Sequence, residues 1–392
     1  MSLNTSQMDL LVVSHSYATF TKGQIDVLSE HFDSITVLVR YNPLAEISEY
    51  LPISRFEQFT KDAKVNQADI PENVGVHLSP IVYLPTSRGY RRLGDRHYSK
   101  VKDQIVAEDI DFDIVHAHFA WTSGYVATQL SEEYDVPSIV TIHANQDRLS
   151  REMDSKDSLV EDVWRDADAL IRVNEKDVPK LSKYNQDVHS IPNGYSRSRF
   201  RVLDKSEARE NLGIDSETQL VFSLGQLIER KGYKYLVEAI DSVDDDRDLI
   251  CAIGGHGKQK KELENKITSL GLSDKVQLLG YIPEENLDLW MNACDIFVLS
   301  SKAEGNPTVM FEALGCGKPY IGSAVGGVDE IITEGIHGYT CEPENIKKLT
   351  ESIERGLSTD WDREMILEYG KNFTWEKIVD KTLKVYDKAY ER

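Results

Sequence analysis

The sequence lacks any apolar run near the roughly 18–20 residues that a membrane-crossing helix needs, so a helical membrane-spanning class is excluded. Its opening, MSLNTSQMDLLVVSH, has no basic flank and only a short apolar stretch, so no secretory signal is expected and a cytoplasmic setting is. Cysteine is scarce: Cys251, Cys294, Cys316 and Cys341 are scattered through 392 residues, with no C-x-x-C pair and no neighbouring histidine. A disulfide framework and a zinc site are therefore not expected, and reduced, buried thiols are. Positive charge is in deficit, with Lys+Arg 45 against Asp+Glu 66 and a net charge of −21. That balance argues against a general nucleic-acid binder, which would usually carry a basic face. No short repeat, low-complexity tract or G-x-G-x-x-G fingerprint occurs, so the dinucleotide-binding motif is absent.

What is present is 40% hydrophobic residues, enough for packed cores, in a length that allows two or three domains. Short apolar runs alternate with amphipathic stretches, which implies α/β architecture with mostly parallel sheets covered on both faces. The runs are Leu10–Val13, Ile35–Val39, Val74–Leu84, Ile114-Val115, Ser138–Ile142, Ala169–Val173 and Val188–Ile191. Helices are expected over Gly23–Phe32, Ser99–Ala107 and Thr122–Tyr134, and Pro43, Pro52 and Pro71 break a long irregular region. The pattern restarts with strands at Leu220–Leu224, Leu249–Ile253, Val276–Leu279, Ile296–Leu299 and Tyr320-Ile321. Two Rossmann-like domains are expected, 1–192 and 193–371, punctuated at Pro192-Asn193-Gly194. The terminal segment 372–392 holds an amphipathic helix, Phe373–Tyr390, that fits packing on either domain, including a return to the first.

In such sheets ligands bind beyond the carboxyl ends of strands, and three such loops stand out in the second half. Gly225-Gln226-Leu227-Ile228-Glu229-Arg230-Lys231-Gly232 joins a strand to a helix. Arg230 and Lys231 at a helix start suit a diphosphate, because backbone N–H groups and the dipole already favour anions there. The same pair also fits a solvated loop. Gly254-Gly255-His256-Gly257 lets the backbone approach a ligand closely. The third loop, Ser300 to Glu312, places Glu304 before a helix that Pro307 opens, and Glu312 within it. The amides of Gly305, Asn306, Thr308 and Val309 then lie between two carboxylates. That arrangement suits a molecule with a diphosphate in the middle and a polyol at each end, since carboxylates accept charge-assisted bonds from sugar hydroxyls.

The stretch ACDIFVLSSKAEGNPTVMFEALGCGKPYIGSAVGGVDEIITEGIHGY, Ala293 to Tyr339, closely resembles the core of the retaining glycosyltransferases of family 4, which have the GT-B fold. Glu304-x7-Glu312 matches that family's paired-glutamate motif, and Gly225–Gly232, Gly254–Gly257, Gly280–Pro283 and Pro192–Gly194 fall in the family's order. The resemblance implies two Rossmann-like domains facing each other across a deep cleft. It implies that Glu304 contacts donor-sugar hydroxyls, Glu312 the nucleotide ribose, Lys231 the donor phosphates, and the Tyr281-Ile282 backbone the base. Gln226 stands where the family usually has arginine, and Arg230 is the candidate to compensate. His118, in His116-Ala117-His118, resembles the family's active-site histidine, and His143 ends a neighbouring strand with no assigned role. The loop Ser14–Gly23 lacks the two adjacent glycines often found in relatives.

The reaction so implied moves a hexose from a nucleoside-diphosphate sugar to a hydroxyl of a glycan or of a polyprenyl- or other lipid-linked acceptor, with retention and without metal or cofactor. Asp111-Phe112-Asp113 imitates a metal-binding D-x-D but precedes its apolar run, and Asp244–Asp246 reads as a solvated turn. Arg88, Arg91, Arg92, Arg96, His97 and Lys100 form a local basic cluster. It fits a solvated loop, or peripheral contact with an anionic membrane. Two rival functions stand beside the enzyme: a non-catalytic GT-B module that binds a nucleotide sugar or glycan, and an NAD-dependent oxidoreductase, which the missing fingerprint disfavours.

Overall fold

The computed structural model describes residues 5–49, 60–83, 92–154, 158–243 and 248–391. Arg88, Arg91 and Asp244–Asp246 lie outside the described residues. The chain forms two compact units, Met1–Pro192 together with Ile378–Arg392, and Asn193–Lys377.

The first unit is built on seven parallel strands: β1 (Asp9–Ser14), β2 (Ser34–Tyr41), β3 (Val74–Pro80), β4 (Ile114–His118), β5 (Ser138–Ile142), β6 (Ala169–Arg172) and β7 (Val188–Ser190). Their order is β3-β2-β1-β4-β5-β6-β7. Leu10 to Val13 are at most 1% exposed and every residue of β4 is buried. That explains why these strands read as continuous apolar runs: helices cover both faces. The helix after β1 is Thr19–Leu28, starting four residues earlier than the sequence suggested; the chain is extended at Ala18 and Thr19 turns it with φ +43. The helix after β4 is Tyr125–Tyr134, preceded by a single wider turn over Ala120–Gly124.

The second unit holds β8 (Gln219–Leu224), β9 (Leu249–Gly254), β10 (Val276–Gly280), β11 (Ile296–Leu299), β12 (Tyr320–Ser323) and β13 (Gly338–Cys341), ordered β10-β9-β8-β11-β12-β13 and parallel throughout. Its core packs Phe222, Phe297, Met310, Phe311 and Tyr320 on one face of the sheet and Tyr233, Leu236, Ile253 and Ile353 on the other. All four cysteines are free and buried.

Both sheets reverse their winding at the same relative place, between β1 and β4 in the first unit and between β8 and β11 in the second. Ligands of doubly wound sheets bind in the crevice beyond the strand ends at such a switch point. His118 is the last residue of β4, and the loops carrying Gly225 and Glu304 follow β8 and β11.

The terminal helix Trp375–Tyr390 is amphipathic. Gln24 donates to Thr382 on it at 3.1 Å, and Phe32 meets Tyr386 edge-on at 6.0 Å between centroids. No described helix is long and apolar enough to cross a membrane.

Candidate active site

In the second unit the strand-end loops are stitched to each other by their backbones. Gly225 N–H donates to Gly254 C=O at 3.0 Å, Leu227 N–H to His256 C=O at 2.8 Å, and Lys302 N–H to Arg230 C=O at 2.8 Å. Two glycines make this closeness possible. Gly232 has φ +66, and a Cβ there would lie 2.2 Å from Ser300 C=O. Gly255 has φ +132, and its Cβ would lie 1.9 Å from Gly225 C=O. Only glycine tolerates both the torsion and the contact.

Arg230 and Lys231 do not open the helix, contrary to expectation. They end a 3₁₀ turn, Glu229–Lys231, and the helix Tyr233–Asp241 follows after Gly232. The left-handed Gly232 separates the two elements and turns both cations across to the neighbouring loop. Arg230 Nη1 lies 2.5 Å from Glu304 Oε2, and also donates to Ala303 C=O at 2.8 Å. Lys231 Nζ lies 2.8 Å from Glu304 Oε1, to which Ser301 Oγ also donates at 2.7 Å. Burial alone would raise the Glu304 carboxyl, but Lys231 and Arg230 outweigh it and hold it below the usual carboxylate range.

Glu312 is the opposite case. It sits inside the helix Thr308–Gly315 and is 9% exposed, and its carboxyl group has no hydrogen bond or ion pair among the described residues. Burial pushes its carboxyl up to about 7, against a smaller opposing influence from Arg199. Lys231 contacts Glu304 directly and exerts a smaller lowering influence on Glu312 as well. Pro307 caps the helix start; Met310 N–H bonds back to Pro307 C=O at 3.1 Å, and the Thr308 and Val309 amides precede the intrahelical ladder. Asn306 is clamped: its side-chain oxygen accepts from Asn193 N–H at 2.9 Å, and its carbonyl accepts from Asn193 Nδ2 at 2.8 Å. Gly305 C=O closes on Gly326, where a Cβ would stand 2.6 Å away. Ile282 is buried against Gly254, while Tyr281 is 67% exposed with its ring 6.4 Å from His256. Gln226 is exposed beside Gly225.

In the first unit three histidines converge at the ends of β1, β4 and β5. His118 Nδ1 lies 2.9 Å from His143 Nε2. His15 stacks on Phe119 at 4.9 Å and 5°. Burial lowers His118 to about 3, so the ring is neutral across the physiological range. His15 is held well below its usual value by burial and then by Arg40, Lys64 and Arg148. Phe119, directly after His118, has φ +75, a torsion that is strained for an aromatic residue and is characteristic of functional sites.

Sequence reasoning missed Ser301, Asn193, Arg199 and His15. Ser301 meets Glu304 only three residues on, but the others depend on partners far along the chain, as with the 113 residues between Asn193 and Asn306. His97 is a correction: it is buried, with Nδ1 2.8 Å from Thr122 Oγ1, and does not belong to the surface basic cluster. Arg92 and Arg96 are exposed and Lys100 half-exposed. Asp113 is a strand-entry residue, accepting from Asp9 N–H at 2.8 Å. Among the described residues no group of three or more His, Cys, Asp or Glu is placed to hold a metal ion.

Two family models match the chain, Glycosyltransferase Family 4 over residues 58–199 and Glycosyl transferases group 1 over residues 204–373. An uncharacterized glycosyltransferase of Methanocaldococcus jannaschii is 29% identical over 322 residues, covering 81% of this chain and 85% of its own. Bacillus subtilis TuaC, a glycosyltransferase provisionally assigned to teichuronic acid biosynthesis, is 29% identical over 279 residues, covering 69% of this chain and 67% of its own. Among solved structures, Anabaena HepE in complex with UDP superposes with a TM-score of 0.73 at 18% identity, over 96% of this chain and 99% of that one. Together these matches show that the chain belongs to the family 4 glycosyltransferases and has the GT-B fold.

Proposed function

We propose that the protein is a retaining hexosyltransferase that takes its sugar from a nucleoside diphosphate. The acceptor would be a hydroxyl of a glycan or lipid-linked molecule in the assembly of a cell-surface polysaccharide, glycolipid or glycoprotein glycan. The observation that carries this reading is the contrast between the two buried glutamates. Glu304 stands among two cations, and Glu312 stands unpaired one helical segment away, with Lys231 acting on both. A diphosphate on Arg230, Lys231 and the amides of Gly305, Asn306, Thr308 and Val309 would leave Glu304 for the sugar hydroxyls and Glu312 for the ribose. The UDP of HepE and the teichuronic acid role of TuaC are in keeping with such a donor and such a product.

In the reaction, the bond between the anomeric carbon and the diphosphate breaks and charge collects on the departing phosphate. Fixed cations and helix-start amides aimed at that charge supply the main stabilisation. Neither His118 nor its ring partner His143 is a carboxylate, so the covalent hydrolase route, which needs a carboxylate nucleophile, has no candidate there. A front-face substitution accounts for retention: the acceptor oxygen bonds the anomeric carbon while its proton passes to the leaving phosphate oxygen. His118, neutral, would contact the transferring sugar. The exposed Arg92 and Arg96, with Lys100, would bring the enzyme to an anionic membrane surface carrying a lipid-linked acceptor.

The test is a radiolabelled screen of UDP-, GDP- and ADP-sugars for donor turnover. Turnover by the wild type, lost in Glu304→Ala and His118→Ala, supports an enzyme. Binding of a nucleotide sugar without turnover under any condition would make the protein a binding module instead.

A further inference from the structure

His143 has the geometry of a group that acts through another. β4 and β5 are neighbours in register, His118 opposite Thr141, so the residue that ends β4 and the residue that follows β5 share one end of the sheet. Their rings lie 5.2 Å apart and only 18° from parallel, with Nδ1 of His118 2.9 Å from Nε2 of His143. Phe20 packs on the His143 ring at 4.2 Å and Phe119 at 5.3 Å, which fixes its plane.

A neutral imidazole carries one N–H and one bare nitrogen, and which is which follows from the bond the other nitrogen makes. One hydrogen therefore lies between the two rings, and its owner decides whether His118 Nε2 is a donor or an acceptor. His116, 4.6 Å from His118, uses both its nitrogens, Nδ1 with the Tyr386 hydroxyl at 2.6 Å and Nε2 with Thr141 Oγ1 at 2.7 Å. His118 Nε2 is buried and has no hydrogen-bond partner among the described residues. A ligand hydroxyl is the kind of group that would complete it.

We propose that His143 is a positioning residue that locks His118 in a single tautomer and ring plane, so that Nε2 meets a sugar hydroxyl with a fixed donor or acceptor character. This rests on the reading of His118 as the residue that touches the sugar. Ring nitrogen-15 spectra of the free protein test it without any substrate, with His118 assigned by its absence in His118→Asn. The wild type should show one protonated and one bare nitrogen for His118. His143→Leu should draw the two shifts toward a common average, and His143→Gln, whose amide reaches the Nε2 position, should restore them. With a donor that turns over, His143→Leu should lower kcat about 10- to 100-fold with donor KM little changed, and His143→Gln should recover most of it. An averaged His118 tautomer in the wild type overturns the proposal, even if the leucine variant does not fold. So do shifts that His143→Leu leaves where they were. Locked shifts in a protein that turns over no donor would leave the histidine pair standing and remove the transferase reading.

Discussion

Arg230 holds Glu304: guanidinium Nη1 and carboxylate Oε2 are 2.5 Å apart, and Lys231 closes the other carboxylate oxygen at 2.8 Å. The cations proposed to grip a diphosphate thus engage the carboxylate proposed to read the sugar. On the proposed function, phosphate oxygens should replace Glu304 at these cations and release it toward the hydroxyls, an exchange.

The exchange predicts opposite effects of one substitution. Glu304→Gln should bind UDP more tightly, because a neutral amide competes less well for the two cations. Arg230 is 37% exposed, so solvent screens part of the effect and the gain should be modest, about three- to tenfold. Transfer should fall about 100-fold or more as the sugar contact weakens. Calorimetric titration with UDP reads the first effect and labelled-donor turnover the second. Equal or weaker UDP binding by the variant rules out the exchange.

Glu312 predicts how stability depends on pH. Its folded value of about 7 lies above the ordinary 4.5, so between those values the native state keeps a proton that the unfolded chain gives up. Stability is therefore lost as pH rises through this window, and the loss is complete above about 7. Glu312→Gln, which cannot ionise, should melt higher than the wild type at pH 8, by on the order of 2–3 kcal/mol at most. Near pH 4 the two should melt alike. Melting curves across pH 4–8 for both proteins check this, and parallel curves refute it.

Gly232 predicts a collision that can be separated from torsional strain. Gly213 has the same φ of +66 with nothing within 4 Å of its Cβ position, whereas at Gly232 the Cβ meets Ser300 C=O at 2.2 Å. Gly213→Ala should cost only the left-handed torsion, about 1 kcal/mol, and Gly232→Ala about 2–4 kcal/mol. Only the second should weaken UDP binding, because it pushes Arg230 and Lys231 away from the loop of Glu304. Denaturant unfolding of both variants, with a UDP titration, decides it.

The basic helix edge predicts a salt-sensitive surface. The double variant Arg92→Glu, Arg96→Glu should lose co-sedimentation with vesicles rich in anionic lipid, and wild-type binding should fade as salt rises from 50 to 300 mM. Turnover of a short soluble acceptor should persist. Unchanged vesicle binding would assign these side chains to ordinary solvation.

The second unit was the more legible half, because its chemistry lies in consecutive residues. A loop such as Ser300–Glu312 carries two carboxylates, a helix-opening proline and small residues within one local window, and a sequence displays such windows directly. The strand β13 was not legible: Gly338–Cys341 is short, and its identity as a strand comes from pairing with β12. The 3₁₀ turn that moves Arg230 and Lys231 off the helix was equally hidden, since it depends on Gly232 pressing against Ser300. His97 looked basic among arginines, but helical periodicity sends it inward to Thr122. His143 could be placed at a strand end, but its ring partner could not, because the register of β4 on β5 is set by the whole sheet.

The Tyr386 hydroxyl reaches His116 from the terminal helix, which makes the last residues a buried support for β4. A shortened version ending near residue 371 would omit that hydroxyl along with Thr382, the partner of Gln24. Truncation before the terminal helix should therefore loosen β4 as well as remove the helix.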